Sequence, residues 1–345
     1  MENNTEKNII HGNSKYRNIG GITCYINSIL SILQQAPIFT DYIINGHFSK
    51  NIIKNINDEL IKEENENYDK EIKENDDENY KLYVKIINKV SYQLYQLFKA
   101  SHENDNCSIT PTSFKKTIGK KNPMWNEYNH QDSQEFFNFL ISTMEEETGR
   151  KVDFIPGSNF KIENNKSDPL KTLLKLKAQY SWENFIKNEY SALKLIFNGL
   201  QYSKQKCDFC NNISNSFQTF TTLQINIPLN KKNPQLDFNK TFTLTECLND
   251  LIQEEKLDYN NRLTCELCKR KNKASKQTKI WKPPKILVIH IKRFHMDMFG
   301  RVTRKICNKV LYPIIDFNIE KYIHEDSPYR KQNMYNLFGI NLHQE

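Results

Sequence analysis

The sequence predicts an α+β protein in which helices come first and strands follow. Between residues 24 and 200, apolar residues recur at three- and four-residue steps, which is the spacing of one face of a helix. After Gly199, apolar residues alternate with polar ones, as at Leu223, Ile225 and Ile227, which is the period of a strand. With 345 residues, of which 38% are hydrophobic, the chain is long enough to bury a sizeable core.

Each helix and strand is predicted from the spacing of its apolar residues and from the prolines and glycines that bound it. Four stretches have helical spacing: 24–36, 81–99, 130–147 and 170–200. The first helix should end before Pro37, because proline cannot continue a helix. Strands are predicted at 223–227, at 285–294 and at 335–342. The second of these is rich in β-branched residues and follows two prolines, so we expect it to be buried on both faces.

Charge is distributed unevenly along the chain. The formal net charge is +8, yet residues 51–80 hold eleven acidic and four basic residues. Because this stretch offers little that could pack, we expect an insertion that is disordered or forms a charged surface helix. Residues 1–14 form a polar tail without the apolar centre of a signal peptide.

Composition also limits the partners and the compartment. No apolar run is long enough to cross a bilayer, so no membrane partner is expected. No basic stretch interleaves with aromatic residues as a single-strand nucleic-acid binder would require. We therefore expect a soluble intracellular protein, cytoplasmic or nuclear, whose positive charge is solvated surface.

A cysteine follows a glycine pair at the start of the first predicted helix, in the stretch Gly20–Ser28. Unpaired backbone N–H groups and the positive end of the helix favour a thiolate at Cys24. The same N–H groups can stabilise a developing oxyanion. An isolated cysteine is more often a packed structural residue, so position alone does not make Cys24 a nucleophile.

Two carboxylates stand at the start of the third predicted helix, in the stretch Gln131–Phe136. Asp132 and Glu135 are three residues apart, so we expect them to share one helix face. They fit the ordinary role of helix-start acids that complement the helix dipole. They also fit a site for a guanidinium group, which presents several fixed donors to paired carboxylates.

Four of the eight cysteines form two Cys-x-x-Cys pairs separated by 54 residues. They are Cys207, Cys210, Cys265 and Cys268. Two such pairs are typical of one structural zinc ion, whose four protein ligands leave no open position for catalysis. A redox dithiol is disfavoured, because neither pair lies in a thioredoxin-like context. The basic run at 269–276 keeps a nucleic-acid-binding zinc ribbon open as an alternative.

Together, these motifs resemble the catalytic domain of the ubiquitin-specific proteases, a family of papain-like cysteine deubiquitinases. Gly-Ile-Thr-Cys-Tyr-Ile-Asn-Ser around Cys24 is similar to the family's cysteine box, and Gln131–Phe136 to its Gln-Asp-x-x-Glu-Phe motif. Pro284–Phe294 is similar to the family's palm strand, and Tyr335–His343 to the start of its histidine box.

The resemblance implies the family's right-hand fold for residues 15–345. It implies a helical thumb over 15–200, which contains the insertion at 51–80. It implies zinc-bearing β fingers over 201–282 and a partial palm over 283–345, because the family's palm continues beyond the match.

The resemblance also implies roles for single residues. Cys24 takes the place of the nucleophile, and the zinc pairs lie at the tip of the fingers. Asp132 and Glu135 take the place of carboxylates that face the ubiquitin tail. The family's oxyanion Asn stands five residues before the nucleophile, where this chain has Ile19, and Asn18 lies one residue earlier. Either the turn holds one extra residue and Asn18 is the oxyanion donor, which we favour, or backbone donors act alone.

The family's general base is a histidine in a Gly-His-Tyr segment, which the 345 residues do not contain. His343 is the only candidate near the right place, and the resemblance gives it a neighbouring role. His290 lies within the palm strand and is expected to be structural. We therefore expect a truncated thiol-dependent deubiquitinase acting on ubiquitin and ubiquitinated proteins, with one structural zinc and no catalytic cofactor. The alternatives are an inactive ubiquitin-binding pseudoenzyme and, third, a zinc-ribbon nucleic-acid binder.

Overall fold

The computed structural model describes residues 14–66, 78–104, 107–127, 129–158, 168–230, 237, 239–257, 262–296 and 302–342. Its helices are α1 (Cys24–Gln34), α2 (Pro37–Ile44), α3 (Ser49–Glu66), α4 (Glu78–Ile87), α5 (Val90–Glu103), α6 (Thr112–Lys121), α7 (Ser133–Thr148), α8 (Pro169–Lys187), α9 (Ala192–Phe197) and α10 (Leu244–Ile252). Short 3-10 turns lie at Ile19–Gly21, Pro123–Asn126 and Glu320–Tyr322. None of the described helices combines the length and apolarity that a membrane span needs.

The strands lie mostly in the second half of the chain, as the change of period predicts. They are β1 (Lys15–Tyr16), β2 (Ser108–Ile109), β3 (Gly199–Cys207), β4 (Ile213–Phe220), β5 (Thr222–Asn226), β6 (Phe242–Thr243), β7 (Glu255–Leu257), β8 (Leu263–Thr264), β9 (Lys271–Asn272), β10 (Ala274–Lys282), β11 (Val288–Lys292), β12 (Phe294–Met296), β13 (Val302–Lys305), β14 (Val310–Leu311), β15 (Phe317–Asn318) and β16 (Met334–Tyr335).

The chain packs into two compact units. The first takes in Met1–Val152, Glu189–Lys194 and Phe338–Glu345, and its described part is mainly helical. Phe39 and Phe98 are fully buried there and meet edge to face, with ring centroids 6.1 Å apart. Each such aromatic side chain contributes about 1.5–3 kcal/mol by leaving water, which makes the aromatic core a main source of stability.

Helix α3 corrects the expectation that residues 51–80 contribute little to the core. Ile52 and Ile56 are one turn apart and fully buried. Asn51 and Asn55 donate side-chain hydrogen bonds to the carbonyl oxygens of Thr148 and Glu147 at the end of α7. The narrow apolar face was not evident from the sequence because acidic and lysine residues dominate the composition of this stretch. The first part of the stretch packs, and residues 67–77 lie outside the described chain.

The second unit takes in Asp153–Asn188 and Leu195–Leu337 and holds a four-stranded sheet in the order β4-β3-β10-β7. The strands of this sheet are antiparallel throughout. Helix α8 packs beside it, and Ala178 and Trp182 bury their side chains against Tyr202 and Trp281. Helix α10 begins in a capping box, in which Thr243 and Glu246 satisfy each other's backbone N–H groups.

Two predicted strands differ from the structure. The alternating strand around Leu223 forms β5 as predicted, with Leu223 and Ile225 buried. Its parallel partner β11, however, is half-buried rather than buried on both faces, since among the described residues it pairs only with β5. His290 lies in β11. Of the strand predicted at 335–342, only Tyr335 lies in a strand, as the last residue of β16, which pairs with β15.

Candidate active site and metal centre

Cys24 is the first residue of α1, and its side chain is exposed. The turn before it needs two backbone conformations in the left-handed region, at Gly20 (φ 62°) and Gly21 (φ 76°). Glycine adopts these angles without steric cost, so the glycine pair sets the sharp entry into the helix. The turn thus presents the thiol at a helix N-terminus, where free N–H groups favour negative charge.

Asn18 holds this turn together from the other side. Its Oδ1 accepts hydrogen bonds from the backbone N of Thr23 (2.6 Å) and from Thr23 Oγ1 (2.9 Å). The hydroxyl of Thr23 in turn accepts from the backbone N of Ile19 (2.8 Å). Asn18 is therefore tied to the residue that precedes the nucleophile, and no described residue accepts a hydrogen bond from its Nδ2.

Sequence reasoning missed the buried cation behind the nucleophile helix. Lys115 on α6 is 8% exposed, and its Nζ donates to the carbonyl oxygen of Trp125 and lies 3.5 Å from Tyr25 Oη. Burial raises the pKa of Tyr25 to about 12 and lowers the pKa of Lys115. Lys115 links α6 to the Pro123–Asn126 turn and to α1. No sequence signal distinguishes it, because it stands beside the exposed Lys116 in an ordinary amphipathic helix.

Asp132 and Glu135 are both exposed at the start of α7. Asp132 is the N-cap of α7, with extended backbone angles, and its Oδ1 accepts from the backbone N of Gln134 (2.6 Å) and Glu135 (3.1 Å). Glu135 belongs to the first helical turn. The N-cap is half in the helix, and the carbonyl oxygen of Asp132 accepts the first helical hydrogen bond, from the backbone N of Phe136 (3.0 Å).

The segment that resembles the start of the histidine box lies against this part of the first unit. A side chain on Gly339 would come within 2.6 Å of Ile32 on α1, so only glycine fits there without a shift. Asn341 Nδ2 donates to the hydroxyl of Ser133, the first residue of α7. The segment therefore contacts both helices that carry the candidate site. His343 lies outside the described residues.

The two Cys-x-x-Cys pairs form matching turns in the second unit. In each turn the backbone N four residues after the first cysteine donates to that cysteine's carbonyl oxygen, Asn211 to Cys207 and Lys269 to Cys265, both at 2.9 Å. The donor residue has a left-handed φ in both turns, 57° at Asn211 and 56° at Lys269. The repeated geometry aims all four thiols at one point.

These four sulfur atoms fit a tetrahedral metal ion. All of them lie within 4.8 Å of one another, and Cys210 Sγ lies 3.6 Å from Cys265 Sγ. A tetrahedron with Zn–S bonds of about 2.3 Å has edges of about 3.8 Å, so the spacing matches. Asn272 Nδ2 donates to Cys268 Sγ at 3.4 Å, as side chains around metal thiolates do.

Within the cluster, the surroundings of Cys265 favour its thiolate form. The backbone N–H of Cys268 is the main cause that lowers the pKa of Cys265 to about 6. A thiolate is the form that binds zinc, so a thiol that loses its proton readily is prepared for this role. The four-cysteine cluster can therefore hold zinc.

Comparison with known proteins gives one consistent result. The family model described as ubiquitin carboxyl-terminal hydrolase matches residues 15–345. The chain is 28% identical over 300 residues to ubiquitin carboxyl-terminal hydrolase Usp2 of Drosophila melanogaster. That alignment covers 87% of this chain and 26% of the fly protein. It is 27% identical over 330 residues to ubiquitin carboxyl-terminal hydrolase 2 of Homo sapiens. That alignment covers 95% of this chain and 46% of the human protein. The chain thus spans from about a quarter to about half of these relatives' lengths.

A solved structure supports the fold. The structure of the SAGA Ubp8/Sgf11/Sus1/Sgf73 DUB module bound to ubiquitin aldehyde contains a chain that superposes with a TM-score of 0.55 at 20% identity. The match covers 91% of this chain and 54% of that one. At this identity the likeness establishes the architecture, which agrees with the α+β, papain-like right hand predicted from the sequence.

Proposed function

Because the chain belongs to the ubiquitin carboxyl-terminal hydrolase family, we propose that it is the catalytic part of a thiol-dependent deubiquitinase with Cys24 as its nucleophile. The substrate class is ubiquitin joined through its C-terminal glycine to an amine of another protein or of another ubiquitin. The observation that carries the proposal is an exposed thiol at the first residue of α1, behind a glycine turn clamped by Asn18.

The first half of the reaction forms a thioester. A general base takes the proton of the Cys24 thiol, and the sulfur forms a bond with the carbonyl carbon of the terminal glycine. The carbonyl oxygen becomes an oxyanion, which the amide Nδ2 of Asn18 and backbone N–H groups at the start of α1 are suited to stabilise. The C–N bond then breaks, and the protonated base returns its proton to the departing amine.

The second half restores the enzyme. Water gives a proton to the same base and attacks the thioester carbon, and the C–S bond breaks. The products are ubiquitin with a free carboxylate and the Cys24 thiol. Among the described residues no side chain forms a hydrogen bond with Cys24 Sγ, so the base must come within reach of the sulfur from elsewhere or by movement.

Recognition of the substrate is assigned to the start of α7 and to the zinc-bearing turns. Asp132 keeps one carboxylate oxygen beyond its cap bonds, and Glu135 is exposed beside it, so both can pair with a cationic group of an extended ubiquitin tail. One zinc ion held by the four cysteines would fix the two matching turns. It supplies folding energy and takes no part in the chemistry.

The nucleophile is tested with a ubiquitin derivative that carries an electrophile at its C-terminus. Cys24→Ala should abolish covalent labelling, since the reactive sulfur is gone. Cys307→Ala is the matched control, because Cys307 is the other exposed cysteine outside the cluster. Labelling that survives Cys24→Ala, or that disappears with Cys307→Ala, contradicts the assignment.

A turnover assay separates the enzyme from a ubiquitin-binding pseudoenzyme. A pseudoenzyme would bind ubiquitin in a titration but would not turn over a fluorogenic ubiquitin substrate, even if its Cys24 reacts with the electrophile. The enzyme hypothesis requires Cys24-dependent turnover by the whole protein.

A further inference from the structure

The four-stranded sheet of the second unit carries a second polar site, one ladder step from Cys207 and distinct from the four cysteine side chains. In the ladder register, Ser275 on β10 stands between Lys206 on β3 and Lys256 on β7. Residues paired across antiparallel strands project on the same face, about 4.8 Å apart from strand to strand. Two lysines therefore flank the Ser275 hydroxyl in one row.

The next row on the same face adds a third lysine. Gln277 pairs with Lys204, two residues along each strand, which is a step of about 7 Å. A cavity of about 190 Å³ lies here, lined by Lys204, Lys206, Glu254, Ser275 and Gln277. Two lysines, the hydroxyl and the amide therefore line the cavity, and Lys256 stands beside it as the other ladder neighbour of Ser275.

The lysine charges at this place have no carboxylate partner among the described residues. Lys204, Lys206 and Lys256 are exposed, and none of them forms an ion pair with a described carboxylate. In the next row of the same sheet face, by contrast, the ammonium group of Lys279 is paired with the Glu325 carboxylate at 2.8 Å. On the cavity wall Glu254 contributes one negative charge against the two positive charges of Lys204 and Lys206, so an excess of positive charge remains, and Lys256 beside the cavity adds to it.

We propose that this cavity is a binding site for a phosphate monoester dianion, carried by a phosphorylated side chain or supplied as free phosphate. Lysine ammonium groups on long flexible stems can converge on such an anion from several sides. The Ser275 hydroxyl and the second amide hydrogen of Gln277 complete the donors, since Gln277 Nε2 gives its first hydrogen to the carbonyl oxygen of Ile252.

The geometry favours a single phosphate group over a nucleic-acid strand. Binding of single strands needs exposed aromatic faces along a groove. Among the described residues, the aromatic side chains at this sheet face pack against one another: Tyr202 and Trp281 are buried, and Phe217 lies against both. The cavity also has room for about one phosphate-bearing group rather than a run of nucleotides.

The test is a nuclear magnetic resonance titration of the whole chain with inorganic phosphate and with a phosphoserine peptide, at constant ionic strength. We expect saturable shifts of the Ser275 and Gln277 backbone amides. The variant Lys204→Gln, Lys206→Gln, Lys256→Gln should bind at least about tenfold more weakly, because it loses every charged donor. The control variant Lys50→Gln, Lys54→Gln, Lys116→Gln has the same net charge, places the changes on exposed lysines of the first unit, and should bind like the parent chain.

The two ligands identify the source of the phosphate. Saturation by both supports a site for any phosphate monoester, and saturation by the peptide alone supports a phosphorylated protein. Absence of saturation, or equal weakening in the control variant, overturns the proposal. Tighter binding of an oligothymidylate through the same three lysines also overturns it, in favour of nucleic acid.

Discussion

The side chain of Asn18 has two roles: its Oδ1 accepts hydrogen bonds that hold the turn, and its Nδ2 is the candidate oxyanion donor. A substitution that changes only Nδ2 tests the second role alone. Asn18→Asp keeps the oxygen that accepts from Thr23 and removes the Nδ2 donor. We expect kcat/KM of the whole enzyme on fluorogenic ubiquitin to fall about 10²–10³-fold, the usual loss for one oxyanion donor.

The thermal midpoint of Asn18→Asp should stay close to that of the parent, because the turn is preserved. Alkylation of Cys24 by iodoacetamide reports thiol reactivity without an oxyanion and serves as the reference. If alkylation and turnover fall by the same factor, the substitution acts on the sulfur, and Asn18 is not the donor.

Asp132 also needs a substitution that respects its structural role. Asp132→Ala should cost about 0.5–2 kcal/mol of stability through loss of the cap of α7, so it cannot isolate recognition. Asp132→Asn keeps a good N-cap and removes the charge. Combined with Glu135→Gln, it should weaken ubiquitin binding by about 1–3 kcal/mol if the contact is desolvated.

Binding is measured by calorimetry on a Cys24→Ala background, which prevents turnover, and stability is measured by denaturation in parallel. Unchanged affinity in the Asp132→Asn, Glu135→Gln variant would leave these carboxylates with the capping role alone.

At the scale of single elements, the matching cysteine turns depend on each other. Purified protein should contain about one zinc per chain, as four thiolate ligands require. Cys265→Ser should lose the metal and lower hydrogen-exchange protection in β3 and β10, because the register ties their ends to the turns. Cys307→Ser is the control outside the cluster. A metal-free protein with full protection would show that the cysteines are not a structural zinc site.

Helix α3 gives a second test at this scale. Ile56 is fully buried, so Ile56→Ala should cost about 2–5 kcal/mol of unfolding free energy. Ile53 on the same helix is 39% exposed, and Ile53→Ala should cost far less. Equal effects in urea denaturation would mean that the stretch is the solvated helix first expected from its composition.

At the scale of the whole molecule, the question is turnover by residues 1–345 themselves. These residues contain no Gly-His-Tyr segment, and loss of a catalytic base costs about 10³–10⁶-fold in rate. We expect the 345-residue chain to react with a ubiquitin electrophile through Cys24 but to turn over fluorogenic ubiquitin very slowly. A version extended by a Gly-His-Tyr segment should be faster. Fast turnover by the short chain, abolished by His343→Ala, would instead make His343 the base.

The sequence by itself determined the class of the fold and predicted which residues form the candidate site. Cys24 behind its glycine pair and the two Cys-x-x-Cys pairs are local patterns, because the turn and the ligand spacing are set within a few residues. The change from helical to strand period is equally local, and it predicted the order of helices and sheet.

Only the tertiary structure decided what depends on contacts between residues far apart in the chain. The buried Lys115 under Tyr25, the burial of Ile56 in an acidic stretch and the three lysines around Ser275 each need partners that no local pattern names. The physical reason is common to all three: burial and charge pairing depend on which segments meet, and the spacing of residues along the chain does not specify that.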